Sequence, residues 1–339
     1  MTSGFRADAL LVALLTLAML GCTSCIYVNG CDVTANCRRV VPLSAPLEPD
    51  STFTADTDDG SIRLEGTQAN ECRLDATIVA HARTEEQAEE LAEQIDVRLE
   101  PSGEGLQVVI DRPRVLRNAW FSVSLQGSLP AQTDLTLSTS DGPIDISNVT
   151  ASLDARTSDG SIEIRDIDGD VRLRTSDGRI VADRVRTGTF DCHTSDGAVQ
   201  LSDVTAGSLR AETSDGSIAF ETVRADAATV RTVDGSIRWR DAVAANMECH
   251  SSDGAIHVEY AAEGPKGPDI RITTSDGGIT LVAPPELSAE IDAATGDGSI
   301  CTDLPILIRG KVGKSLRGTI GGGEGRVYLR TNDGSIAIR

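Results

Sequence analysis

The sequence predicts an all-β protein: a parallel β-solenoid (β-helix-like) with 18–19-residue coils, plus one short helix near its N-terminal end. Three observations carry this. Asp-Gly pairs followed two residues later by Ile or Val start at Asp141, Asp159, Asp177, Asp196, Asp215, Asp234 and Asp253, at spacings of 18, 18, 19, 19, 19 and 19 residues, with looser copies at Asp59, Asp276, Asp297 and Asp333. A fixed period of this length is the mark of stacked repeats. Apolar residues alternate with polar ones on both sides of each pair, which is strand periodicity. Aromatics make up only 3% of the chain, so the core must be built from small aliphatic side chains. A narrow stacked coil allows that, because no point in it lies far from the surface.

Residues 1–21 read as a lipoprotein signal peptide outside the fold. Arg6 precedes an apolar run, Ala9 to Leu20, that is interrupted by Thr16 and is short for a membrane span. Met19-Leu20-Gly21-Cys22 resembles the bacterial lipoprotein signal, although Met19 stands where Leu is usual. The resemblance implies that Cys22 is lipidated and becomes the mature N-terminus; the alternative is an ordinary secretory signal with Cys22 unmodified. Thr23 carries no inner-membrane retention signal, so the same resemblance points to an exported cell-envelope lipoprotein of the outer membrane, facing the periplasm or the surface. Loss of Arg6 and Asp8 with the signal leaves the net charge at −21. That charge excludes a nucleic-acid partner, which needs clustered Lys and Arg, and implies a solvated, self-repelling surface.

Residues 22–50 read as a Cys- and Pro-containing tether with Pro42, Pro46 and Pro49. Cys25, Cys31, Cys37 and Cys72 cluster near the mature start, and an oxidising compartment suits two disulfides among them in any of three connectivities. The repeat domain spans 51–339, divided into lead-in strands and a helix over 51–130 and regular coils over 131–339. Phe53 to Leu64 is extended and holds the early turn at Asp59. Leu74 to Ala82 alternates as a strand. Thr84-Glu85-Glu86-Gln87 is a capping box, and Ala88, Leu91, Ala92 and Ile95 form a short apolar stripe suited to covering one end of the solenoid. Val97 to Leu99 and Leu106 to Ile110 are strands around a turn at Pro101 to Gly105, and Trp120 to Leu125 leads into the coils.

With each turn Asp as zero, position +3 is an Ile or Val column from Ile144 to Ile336. Position +5 runs Ile146, Ile164, Ala182, Leu201, Phe220, Trp239, Val258 and Leu281. Position −4 runs Ala155, Leu173, Cys192, Ala211, Val230, Cys249 and Ile272, and position −2 is Thr in Thr139, Thr157, Thr175, Thr194, Thr213 and Thr232. A looser segment passes Val149, Ile167, Val185, Val204 and Val223. Stacked columns should pair as parallel strands about 4.8 Å apart, giving a rod on the order of 50 Å long. The Thr residues are expected to hydrogen-bond one another. The crossover rule favours a right-handed coil. Cys192 and Cys249 are then core residues three coils apart, too far to bridge, and Cys301 at +4 faces outward. Glu263 to Pro268 reads as an inserted loop. The 36 residues from Asp297 to Asp333 read as two coils, with Arg317 to Ile320 filling the missing turn and an open edge after Arg339.

Candidate chemistry is sparse. The Asp column could hold Ca²⁺, but turn formation by Asp-Gly, with Gly at positive φ and Asp accepting a local backbone bond, accounts for it better. His193 and His250 point outward three coils apart, and His81 and His257 have no evident partners. Gly313-Lys314-Ser315 lacks the earlier Gly of a phosphate loop, and Gly321 to Gly325 makes a turn. No catalytic, cofactor or metal residues are assigned; the single site residue is Cys22.

Repeats of the type Thr-Ser-Asp-Gly-Ser-Ile, at 157–162 and 213–218, preceded by a strand–helix–strand segment, resemble a bacterial adhesin-like family of Ser-Asp-Gly repeat proteins over residues 51–339. The resemblance implies a non-catalytic structural or binding scaffold at the envelope. It would be held to the membrane by an N-terminal lipid, with a glycan or protein ligand on a solenoid face. The alternatives are a polysaccharide-active β-helix enzyme, with acidic and basic residues clustered near the 259–270 loop, and a calcium-binding repeat protein.

Overall fold

A computed structural model describes residues 35–103, 105–112, 119–308 and 313–339. The described chain is nearly all β and solenoid-like: its strands join one continuous sheet, and one helix, Glu85–Gln94, packs on it. Among the strands from Asp134 to Tyr260, parallel partners lie 18 or 19 residues apart, as in Ile162↔Ile180 and Ile180↔Val199; across the inserted loop the step lengthens to 23, as in Ile256↔Ile279. The pairings on the pre-turn side link eleven rungs in series, about 48 Å at the ordinary strand spacing. The columns at −4, +3, +5 and +8 all point inward and are buried. Cys192 and Cys249 lie among them, and burial pushes the Cys249 thiol up to about 12. The coils carrying Phe220 and Trp239, whose rings meet edge to face at 5.3 Å, also bury Ala225, Ala228, Ala242 and Ala244. Volume is thus exchanged within each cross-section to keep the core filled.

The turn works differently from the sequence expectation. Gly197 and its equivalents do not have positive φ. They are required because a Cβ on Gly197 would lie 1.9 Å from the Gly178 carbonyl oxygen one coil below, and Gly178, Gly216 and Gly235 are equally close to their neighbours. The local backbone bond is made by Thr rather than Asp. Thr194 Oγ1 accepts from the Gly197 N–H at 3.2 Å, and its proton is shared between the carbonyls of Ser176 and Gly178, each 3.0 Å away in the coil below. The same staple recurs from Thr139 to Thr331, with Ser251 in one coil. The Thr hydroxyls bind backbone of the adjacent coil, not one another.

A second corner was not anticipated. Seven residues after the turn Asp in the six coils from Asp141 to Asp234, the non-glycine residues Asn148, Asp166, Arg184, Asp203, Thr222 and Asp241 all have φ between 52° and 61°. This left-handed column bends the chain so that the looser segment's Val and Ile at +8 turn back into the core.

Both ends depart from the expected plan. Ala35–Pro46, within the segment read as a tether, is a twelve-residue strand antiparallel to Glu71–Ala82, which is antiparallel in turn to Trp120–Pro130. Cys37 lies opposite Ala80 and Cys72 opposite Ala45, both thiols are free, and eight residues of strand separate them, roughly 27 Å. A Cys37–Cys72 bridge is therefore excluded; Cys22, Cys25 and Cys31 lie outside the described residues. The helix seals the inner side of the outermost strands through Ala88, Leu91 and Ala92, and Thr84 caps it by accepting from Gln87 N–H.

At the other end, the strands Gly325–Thr331 and Ile336–Ile338 insert between earlier coils. Gly325–Thr331 pairs in parallel with Asp269–Thr273 on one side and Ala289–Thr295 on the other, and Ile336–Ile338 lies between Ile279–Val282 and Ile300–Thr302. Arg317 to Ile320 belongs to Ser315–Ile320, an antiparallel strand on the outer edge of Ala289–Thr295, not to a missing coil. Two coils in series after Asp297 and an open edge after Arg339 are thus both replaced: the final strand is paired on both sides, and among the described residues the edge passes to the antiparallel strands before the turn and to Ile300–Thr302 after it.

Candidate functional site

The pre-turn strands present one continuous outer face whose side chains at −5 and −3 form a charged ladder. Arg174 is paired with Asp191, Arg210 with Glu212 at 2.8 Å, and Arg231 with Glu248 at 3.1 Å. His193 lies 3.9 Å from Glu212, and His250 shares a hydrogen bond with Thr273 at 2.8 Å. Arg210–Glu212 lies within one rung, and the others join neighbouring rungs. At −5 acidic and basic residues alternate through Asp154, Arg172, Asp191 and Arg210, which favours parallel pairing, whereas at −3 Arg156 stands directly beside Arg174.

The face ends in a groove of about 630 Å³ lined by Glu290, Asp292, Arg317, Thr319, Arg326 and Tyr328. The inserted strand builds it: Tyr328 sits between Arg271 and Asp292 in register. The guanidinium carbons of Arg271 and Arg330 lie 4.5 and 4.1 Å from the Tyr328 ring centroid, so the ring fixes two planar cations. Asp292 holds Arg330 at 2.9 Å and Arg317 at 3.4 Å. The loop expected to matter is adjacent, since Arg326 N–H donates to the Pro268 carbonyl and Ser288 N–H to that of Lys266.

The other candidates disperse. The turn Asp residues from Asp141 to Asp276 accept no side-chain hydrogen bond among the described residues, and no three His, Cys, Asp or Glu are placed there to share a metal ion. Asp59, at the first turn, has its carboxyl raised by partial burial and by Asp141 and Asp58. On the left-handed corner, Arg184 grips Asp166 at 2.7 and 2.8 Å, which lowers the Asp166 carboxyl. His81 stacks on Trp120, and Cys301 is exposed. The Arg271–Tyr328–Arg330 cluster was invisible in the sequence, because only the insertion of the last strands makes residues 271 and 328 neighbours. Tyr328 at −5 from Asp333 shares a column with Arg271, and that register was the one available signal.

Residues 161–339, just over half of the chain, match Toastrack DUF4097. The chain belongs to this family. No curated protein matches it. Three solved structures are similar at low identity. A "putative lipid binding protein" from Parabacteroides distasonis ATCC 8503 is 16% identical, with a TM-score of 0.42, over 90% of this chain and 97% of that one. A "putative adhesin" from Bacteroides fragilis NCTC 9343 is 13% identical, with a TM-score of 0.31, over 89% and 97%. A "putative cell adhesion protein" from Clostridium sporogenes ATCC 15579 is 11% identical, with a TM-score of 0.18, over 88% and 99%.

Proposed function

We propose that this Toastrack-family chain is a non-catalytic, exported lipoprotein, an adhesin-like scaffold of parallel 18–19-residue coils. It is anchored in the outer membrane through lipidated Cys22 and binds an extended glycan or peptide along its outer face. The observation that carries the reading is the ladder: a flat run of parallel rungs with Arg and carboxylate side chains at a regular spacing, continuous with the Tyr328 groove. A polymer with repeating polar groups can match that spacing along its length, gaining affinity from many weak contacts. The test is binding of the purified mature chain to arrayed envelope and host glycans and to extended peptides. Replacing Arg174, Arg210 and Arg231 together by Glu is expected to weaken binding about tenfold or more. Unchanged binding, or no ligand together with normal adhesion and envelope integrity in a deletion strain, removes the reading.

The groove gives the enzyme alternative one specific observation, acidic and basic residues together beside the 259–270 loop. Asp292 is already held by two guanidinium groups, which suits a fixed electrostatic partner better than a proton-transfer group. No new reducing ends are expected on incubation with acidic polysaccharides. Their appearance, and their loss in Glu290→Gln, would reverse the preference.

A further inference from the structure

At the N-terminal end the antiparallel strands Ala35–Pro46, Glu71–Ala82 and Trp120–Pro130 form a plate whose outer side chains lie in register. Asn36, His81 and Trp120 make one row, Arg38, Val79 and Ser122 the next, and Val40, Thr77 and Ser124 the third. Trp120 and Val40 are 48% and 49% exposed, and the Trp120 ring stacks flat on His81, centroids 3.8 Å apart and 13° from parallel. These rows contain no Asp or Glu; the first acid, Asp75, stands in the fourth row beside Pro42. Three acid-free rows carrying Arg38 are a marked local exception in a chain of net charge −21. The helix covers the inner side, where Arg39 donates to the carbonyls of Ala92 and Ile95, and the outer side faces solvent.

Cys22 precedes Ala35, the first residue of the plate, by thirteen positions. That length reaches at most about 45 Å when fully extended and roughly 20 Å as a flexible chain. The plate is also an edge of the sheet, since among the described residues Ala35–Pro46 pairs with Glu71–Ala82 alone.

We propose that this plate docks on a phospholipid bilayer, with Trp120 and Val40 at the headgroup boundary and Arg38 against lipid phosphate. The docking rests on the lipid-anchor reading of Cys22. Trp, with an apolar body and a polar N–H, favours the membrane interface, and a basic residue there is drawn to anionic lipid. The anchor makes the contact intramolecular, so a small patch suffices.

Tryptophan fluorescence tests this directly. The chain has two tryptophans, and Trp239 is fully buried, so a lipid-dependent change reports Trp120. The acylated mature chain is placed in phosphatidylethanolamine–phosphatidylglycerol vesicles with and without brominated acyl chains. Trp120 emission is expected to shift to shorter wavelength and to fall about twofold in brominated vesicles. The change should disappear in Trp120→Ser and weaken in Val40→Asp, two exposed positions. The mass of the N-terminal peptide reports acylation independently. An acylated chain whose emission is the same in both vesicles overturns the docking alone, while a Cys22 without acyl chains overturns the anchor reading and the docking with it.

Discussion

The coils from Asp141 to Asp234 bend at two corners, and the two are specified in different ways. The Thr-Ser-Asp-Gly turn repeats its residues almost unchanged, because the adjacent coil touches it: the Gly carbonyl below leaves no space for a Cβ, and the Thr hydroxyl bridges to that coil. The left-handed corner repeats its conformation more strictly than its residues. Asn148, Asp166, Arg184, Asp203, Thr222 and Asp241 share φ within 9° of one another; four of the six are Asn or Asp, which tolerate this conformation, while Arg184 and Thr222 show that the position accepts others, and all six are exposed or half-exposed. Residue identity recurs strictly where one coil rests on the next, and where water is the neighbour only a looser preference for Asn and Asp follows the backbone shape.

The sharpest way to break the turn is Gly197→Ala. Its Cβ would overlap the Gly178 carbonyl, a backbone atom that can move only if the coils separate. We expect a loss of more than about 4 kcal/mol or failure to fold, read by chemical denaturation. Gly60, at the first coil, faces the Val123 carbonyl just as closely and should be no more tolerant. Thr194→Val keeps the methyls but leaves Gly197 N–H without its acceptor and the two carbonyls below without the hydroxyl, which should cost about 1–3 kcal/mol. Thr194→Ser should cost much less, since Ser251 makes the same bonds in its own coil.

This contrast also governs what was legible in the sequence. The inward columns could be read because burial repeats a residue type at fixed register, and Cys192 and Cys249 fell in place from register alone. The purpose of the Gly could not, since positive φ and close approach both select glycine, and only the position of the neighbouring coil separates them. The left-handed corner left only a weak trace, Asn or Asp in four of its six positions, diluted by Arg184 and Thr222. The insertion of Gly325–Thr331 between Asp269–Thr273 and Ala289–Thr295 was hidden for a further reason: every rung offers similar apolar columns to its neighbours, so the pattern does not state which coil lies beside which. The Tyr328 groove depends wholly on that order.

The corner should respond in the opposite sense to the turn. A β-branched residue at φ 54° is strained, and Thr222 has no side-chain hydrogen bond among the described residues to offset it. Thr222→Asn, which tolerates this conformation, should stabilise the protein by about 1 kcal/mol, seen as a rise in Tm. A neutral or negative result would mean that packing rather than φ sets the corner.

The smallest effects separate the corners by charge. The Asp166 carboxyl is lowered chiefly by its hydrogen bonds from Arg184, so in the folded state it gives up its proton more readily than in the unfolded chain. Its contribution is present above the unfolded value near pH 4 and is lost as pH falls through the folded one. Asp59, at the turn, is raised chiefly by burial and then by Asp141 and Asp58, so its ionised form opposes folding at neutral pH, and the opposition fades as acid protonates it. Asp166→Asn should therefore lower Tm at pH 7 and Asp59→Asn should raise it; on acidification the Asp59 difference closes first, and the Asp166 difference only as pH falls through its lowered folded value. Solvent exposure keeps the Asp166 effect small and salt-sensitive. If the two variants shifted Tm in the same direction, stacked carboxylates at the turn and paired charges at the corner would not be the electrostatic opposites their surroundings make them.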